Sequence, residues 1–131
     1  MVNSERWEGI MSKRILVVDD SQFIYEEIKY LLSDTDYEIV GHAKNGADAF
    51  RMYGELMPDI VTMDILMPGL SGIETSQLIL GKWKDAKIAI VSSLAYDDVL
   101  EEAAALGIHH FIYKPFDKED IVEALDALIA K

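Results

Sequence analysis

Short apolar runs and helix-periodic stretches take turns along this chain five times, and that alternation limits its fold more than any other feature. The runs are Ile15-Leu16-Val17-Val18, Glu38-Ile39-Val40-Gly41, Ile60-Val61-Thr62-Met63, Ile88-Ala89-Ile90-Val91 and Phe111-Ile112-Tyr113. The first, third and fourth are nearly continuous in apolar residues, as strands covered on both faces must be. Apolar residues at i, i+4 and i+7 spacing fall between and after the runs: Ile24, Ile28, Leu31; Ala49, Tyr53, Leu56; Val99, Ala103, Leu106; Ile121, Leu125, Leu128. The stretch after Gly72 is less regular and is read as a helix chiefly because the next strand needs a crossover. Ser21, Asn45 and Asp117 stand where N-caps belong, Ser71 with Glu74 forms a capping box, and Gly107 stands where the fourth helix must stop. Connections this short force parallel strands and right-handed crossovers. The expected fold is an α/β, doubly wound, five-stranded parallel sheet of order 2-1-3-4-5, with its switch point between strands one and three.

Composition narrows the class further. The chain has 131 residues, half of them hydrophobic, which suits one domain with one buried core. Residues 1–13 are polar and aperiodic around Trp7, and are expected to form a flexible extension before a folded domain at 14–131. No apolar run approaches the ~20 residues of a membrane span, and Glu5, Arg6 and Glu8 break any signal-peptide pattern, so a cytoplasmic location is expected. Against 24 Asp+Glu stand 12 Lys+Arg, a net charge of −12 that argues against nucleic acid and anionic membrane as partners. With no cysteine there is no disulfide frame, thiolate nucleophile or cysteine-type zinc site.

In a parallel sheet all strand C-termini share one edge, and ligands bind there. Strand one ends in Asp19-Asp20, strand three in Asp64, strand four in Ser92-Ser93 and strand five in Lys114-Pro115. Strand two ends in His42-Ala43-Lys44, outside the switch point. A lone Asp after a strand commonly caps a loop in solvent. Three on adjacent strand ends repel one another and demand a counter-charge. Lys114 supplies one positive charge, and the all-oxygen donor set suits Mg²⁺ for the rest.

Val17-Val18-Asp19-Asp20-Ser21, Met63-Asp64-Ile65-Leu66-Met67-Pro68-Gly69-Leu70-Ser71-Gly72, Val91-Ser92-Ser93 and Tyr113-Lys114-Pro115-Phe116 occur in that order. Together they resemble the signature of receiver domains of two-component response regulators, in particular the chemotaxis-type, receiver-only proteins, over about residues 13–131. The resemblance implies a flavodoxin-like (βα)5 fold and Asp64 as phosphoacceptor, attacking the phosphohistidine of a sensor kinase or phosphotransfer protein. It implies Mg²⁺ held by Asp19, Asp20, Asp64 and the backbone carbonyl of Leu66, a Ser92 hydroxyl and Lys114 ammonium on the phosphoryl group, and a cis Lys114–Pro115 peptide. Ser92 and Phe111 match the family's switch pair, although many members have Tyr where this chain has Phe111, so packing alone must carry that switch. Leu66 and Leu94 match positions flanking the attacking water, and two leucines there imply slow dephosphorylation.

Output is expected through the fourth helix, fifth strand and fifth helix, where Leu100, Ala104 and Tyr113 could form an apolar patch. With Lys131 following the fifth helix directly, the effect is expected to travel by protein–protein contact. His42, His109 and His110 are read as solvated or satisfied, and the last two, adjacent on a strand, should face opposite ways. Asp97-Asp98 and Glu101-Glu102 read as a solvated helix face. Such a protein is not an enzyme beyond its own phosphorylation and dephosphorylation. The principal rival is a Mg²⁺-dependent phosphohydrolase with an aspartate nucleophile, but Leu66 stands where such enzymes carry a second Asp. A flavin-binding module would need a Ser/Thr/Gly-rich phosphate loop where Asp19-Asp20-Ser21-Gln22 stands.

Overall fold

The computed structural model describes residues 12–93 and 97–130. The elements are β1 (Lys13–Val18), α1 (Gln22–Leu31), β2 (Tyr37–Ala43), α2 (Gly46–Leu56), β3 (Ile60–Met63), α3 (Gly72–Lys82), β4 (Ile88–Ser92), α4 (Asp97–Ala105), β5 (Phe111–Tyr113) and α5 (Lys118–Ile129). The strands form one parallel sheet of order β2-β1-β3-β4-β5, as the alternation requires. Lys13, the last residue of the expected extension, opens β1 opposite Tyr37. Trp7 lies outside the described residues.

The continuous apolar runs have a direct structural reason. Neighbouring residues on a strand point to opposite faces, and both faces of this sheet are covered. Ile15 and Val17 join Ile28, Leu32, Ile121 and Leu125 in one apolar layer, beneath α1 and α5. Leu16 and Val18 join Ala49, Tyr53, Ile79 and Ala103 in the other, beneath α2, α3 and α4. The irregular period of α3 is explained the same way. Its buried face consists of Gly72, Thr75, Ser76 and Ile79; only the last is a large apolar residue, and the other three are small or polar ones that hydropathy does not register. They allow close packing: a Cβ on Gly46 of α2 would lie 2.3 Å from Thr75 Oγ1.

The helix ends obey their sequence signals. Ser21, Asn45, Ser71 and Asp117 accept from the amides of Ile24, Asp48, Glu74 and Asp120, each cap worth about 1 kcal/mol. The Ser71–Glu74 box closes in both directions, and Asp117–Asp120 forms a second one. Gly107, at φ +87°, ends α4. Its amide donates to Ala104 and that of Ile108 to Ala103, both at 2.9 Å, a Schellman motif that requires the left-handed backbone glycine tolerates.

Candidate functional site

Where β1 and β3 end, the ladder carries the chain directly into the acidic residues. Asp64 N–H donates to Val18 at 2.9 Å, so Asp64 continues β3 alongside the end of β1. Asp19 and Asp20 follow Val18 at once. Carboxylate oxygens of Asp19, Asp20 and Asp64 lie within 4.8 Å of one another, with Asp19 and Asp64 buried and Asp20 exposed. From the end of β5, Lys114 Nζ donates to Asp19 Oδ2 at 3.0 Å and to Asp64 Oδ1 at 3.4 Å. The Lys114–Pro115 peptide is cis, as expected.

One ammonium does not balance this cluster. Burial, reinforced by the Asp19 charge, pushes the Asp64 carboxyl up to about 6, even though Lys114 pulls the other way. The donors are all oxygen, with no thiolate and no imidazole among them. That chemistry fits a hard divalent cation such as Mg²⁺, which takes one or two carboxylates and keeps several waters. Asp19, Asp20 and Asp64 are the residues that could hold it.

Glycine sets how closely α3 approaches this acid. A Cβ on Gly72 would lie 2.0 Å from the Asp64 carbonyl oxygen, and the Gly72 amide donates to Ile65 at 2.8 Å, closing the β3–α3 loop. Any side chain at 72 would displace Asp64. Ser92 ends β4, buried, and its carbonyl accepts the Lys114 amide at 3.0 Å, which makes these two residues neighbours across β4 and β5. Leu66 is 63 % exposed. Leu94 lies outside the described residues.

Farther along β5, Phe111 is half-buried against the α2–α4 layer and stacks on Tyr113, ring centroids 6.4 Å apart. Tyr113 is 47 % exposed, Ala104 is exposed and Leu100 only half-buried, so the expected patch has a surface component. His109 and His110 stand just ahead of β5, and both contribute to a groove beside α5 with Asp120 and Glu123. His42 is satisfied, as expected, and its partner belongs to the site: Nε2 lies 2.8 Å from the Asp19 carbonyl oxygen.

The doubly wound sheet gathers three carboxylates under a lysine at its switch point, an α/β architecture with an acidic site at the strand ends. The family model for the response regulator receiver domain matches residues 15–126, and the chain belongs to that family. Among its relatives are Chemotaxis protein CheY of Thermotoga maritima (41 % identity, 88 % of this chain, 97 % of that protein) and Chemotaxis protein CheY of Listeria monocytogenes (38 %, 86 % and 95 %). Solved structures with the same architecture include the CheX-CheY-BeF3-Mg²⁺ complex from Borrelia burgdorferi (TM-score 0.86, 27 % identity, 91 % of this chain and 90 % of that chain). The response regulator domain of Thermotoga maritima CheB is another (TM-score 0.83, 35 %, 92 % and 98 %). Among the described residues, no helix is long and apolar enough to cross a membrane.

Proposed function

We propose that this receiver takes a phosphoryl group onto Asp64 from the phosphohistidine of a sensor kinase or phosphotransfer protein, and signals by altered protein–protein binding. The observation that carries the reading is the crowding of Asp19, Asp20 and Asp64 within 4.8 Å beneath a single ammonium. In the transfer an Asp64 carboxylate oxygen attacks phosphorus, the O–P bond forms as the N–P bond breaks, and the imidazole leaves with the electron pair. Such transfers need positioning and charge neutralisation more than covalent assistance. Lys114 donates to the incoming phosphoryl oxygens, exchanging part of its contact with Asp64 for them. Ser92 donates its hydroxyl from the end of β4. Bound Mg²⁺, held by Asp19, Asp20, Asp64 and the Leu66 carbonyl, would supply positive charge that keeps Asp64 ionised and offsets the charge on phosphorus-bound oxygens.

Ser92 and Phe111 form the switch in this reading, and the face of α4, β5 and α5 carries the output. Exposed Leu66 offers no group to orient water, so the phosphoryl group is long-lived. It also offers no proton, which disfavours the phosphohydrolase. The working location is the cytoplasm, with neither nucleic acid nor membrane as partner. The test is intact mass after incubation with acetyl phosphate and Mg²⁺, for the parent and for Asp64→Asn. The parent should gain one phosphoryl group and the variant none. Labelling of both, or turnover of a small phosphomonoester, would contradict the reading.

A further inference from the structure

The strand expected to lie outside the site reaches it through one side chain. The β1–β2 ladder continues to Asp19, whose N–H donates to the Ala43 carbonyl at 3.0 Å. The next acceptor, the Asp19 carbonyl, meets a side chain instead of a backbone amide: His42 Nε2, at 2.8 Å. A carbonyl can only accept, so the proton sits on Nε2. The imidazole lies flat on the Tyr25 ring, centroids 4.2 Å apart and planes within 4°. The Lys29 ammonium lies 5.9 Å from the centroid of that same tyrosine. Tyr25 and Lys29 belong to α1, so His42 ties β2, α1 and the turn between β1 and α1 together.

The bond matters because of which peptide it holds. The Asp19 carbonyl belongs to the planar unit joining Asp19 to Asp20, and fixing its oxygen restrains both Cα atoms. The Asp19 carboxylate is held independently, Oδ1 by the Ser21 amide at 2.9 Å and Oδ2 by Lys114 at 3.0 Å. All three oxygens of Asp19 therefore have donors. Asp20, exposed, has its direction set through the shared peptide.

We propose that His42 is a positioning residue for the cation site: its Nε2–H bond to the Asp19 carbonyl orients the Asp19–Asp20 peptide and thereby aims both carboxylates into the crevice. The proposal rests on the reading that these carboxylates hold a divalent cation. Groups that orient metal ligands typically cost 10–100-fold in affinity when removed.

The experiment compares two substitutions in the full chain. His42→Gln keeps an N–H donor at similar reach, and His42→Phe keeps a flat ring on Tyr25 without the donor. Each is titrated calorimetrically with MgCl₂ alone, and its melting temperature is measured without metal. His42→Phe should weaken Mg²⁺ binding about tenfold, His42→Gln should stay within about threefold of the parent, and the split should exceed any difference in metal-free melting. Equal Mg²⁺ affinity in all three proteins, or a Gln variant as weak as the Phe variant, overturns the positioning role and leaves the cation reading standing. A parent that binds no Mg²⁺ overturns both. Ring ¹⁵N shifts of His42 in the metal-free parent give a separate readout, and a proton on Nδ1 in place of Nε2 would refute the hydrogen bond itself.

Discussion

Two aspartate–lysine pairs in this molecule look alike on paper and behave in opposite ways. Lys118, at the start of α5, reaches Asp34, just beyond α1, at 2.6 and 2.7 Å, with both side chains largely in water. The hydrogen bond and charge of Lys118 lower the Asp34 carboxyl below its ordinary value. Lys114 meets Asp64 at 3.4 Å, yet the Asp64 carboxyl goes up to about 6. Residue types do not explain the difference. Asp64 is buried, and its lysine is shared with Asp19, itself buried, at 3.0 Å. Burial disfavours the charged form and a like charge disfavours it again, which one shared ammonium does not offset. An exposed pair is a finished interaction of small worth. The buried one is an unfinished interaction, negative charge awaiting a cation.

The pH dependences of the pairs consequently have opposite signs. A raised carboxyl binds its proton more tightly folded than unfolded, so Asp64 favours the metal-free fold below about pH 4, and that contribution is lost as pH rises through about 6. A lowered carboxyl such as Asp34 favours the fold above its unfolded value near 4 and loses that contribution as pH falls further.

Removing the acid at the centre of the crevice should have the largest effect. Asp64→Asn abolishes phosphorylation by acetyl phosphate, and in metal-free solution it stabilises the fold by roughly 1–3 kcal/mol in urea unfolding, since a raised carboxyl is a penalty at neutral pH. A destabilised variant would break the comparison. Lys114→Ala comes next: phosphorylation persists, but amide shift changes across α4, β5 and α5 on phosphorylation disappear. An undiminished spectral response would count against the proposed switch. Leu66→Asn, which places a polar group near the acceptor, should speed loss of the phosphoryl group several-fold, to about tenfold, in a mass-spectrometric time course. A longer-lived phosphoryl group in that variant would refute the reading of Leu66 as the cause of slow dephosphorylation. Lys118→Ala should have the smallest effect, leaving the neutral-pH melting temperature within experimental error.

Much of this arrangement is legible from residue order, for identifiable reasons. Strands covered on both faces must be apolar at every position, which marks β1, β3 and β4. Capping side chains act on amides two or three residues away, so Ser21, Asn45, Ser71 and Asp117 can be read without tertiary information. The carboxylates stand at strand ends, and a parallel sheet brings strand ends together by topology alone. What escaped depends on three-dimensional contact. Apart from Ile79, the buried face of α3 is small or polar where α2 packs close to it, and hydropathy carries no record of that distance. Gly72 sits within a signature block, but that its missing Cβ seats the helix on Asp64 is evident only from a 2.0 Å approach. That His42 is satisfied is readable from residue order, but that its partner is the Asp19 carbonyl is not, because β1 and β2 meet only in the folded sheet.

The central claim, that the crevice is short of positive charge and built around a cation, is tested most directly by the titration of the Asp64 carboxyl. Side-chain ¹³C shifts followed against pH, without and with saturating Mg²⁺, should place its midpoint near 6 in the metal-free chain and below its ordinary value of 3.8 once the ion is present. A midpoint that Mg²⁺ leaves in place would contradict the account.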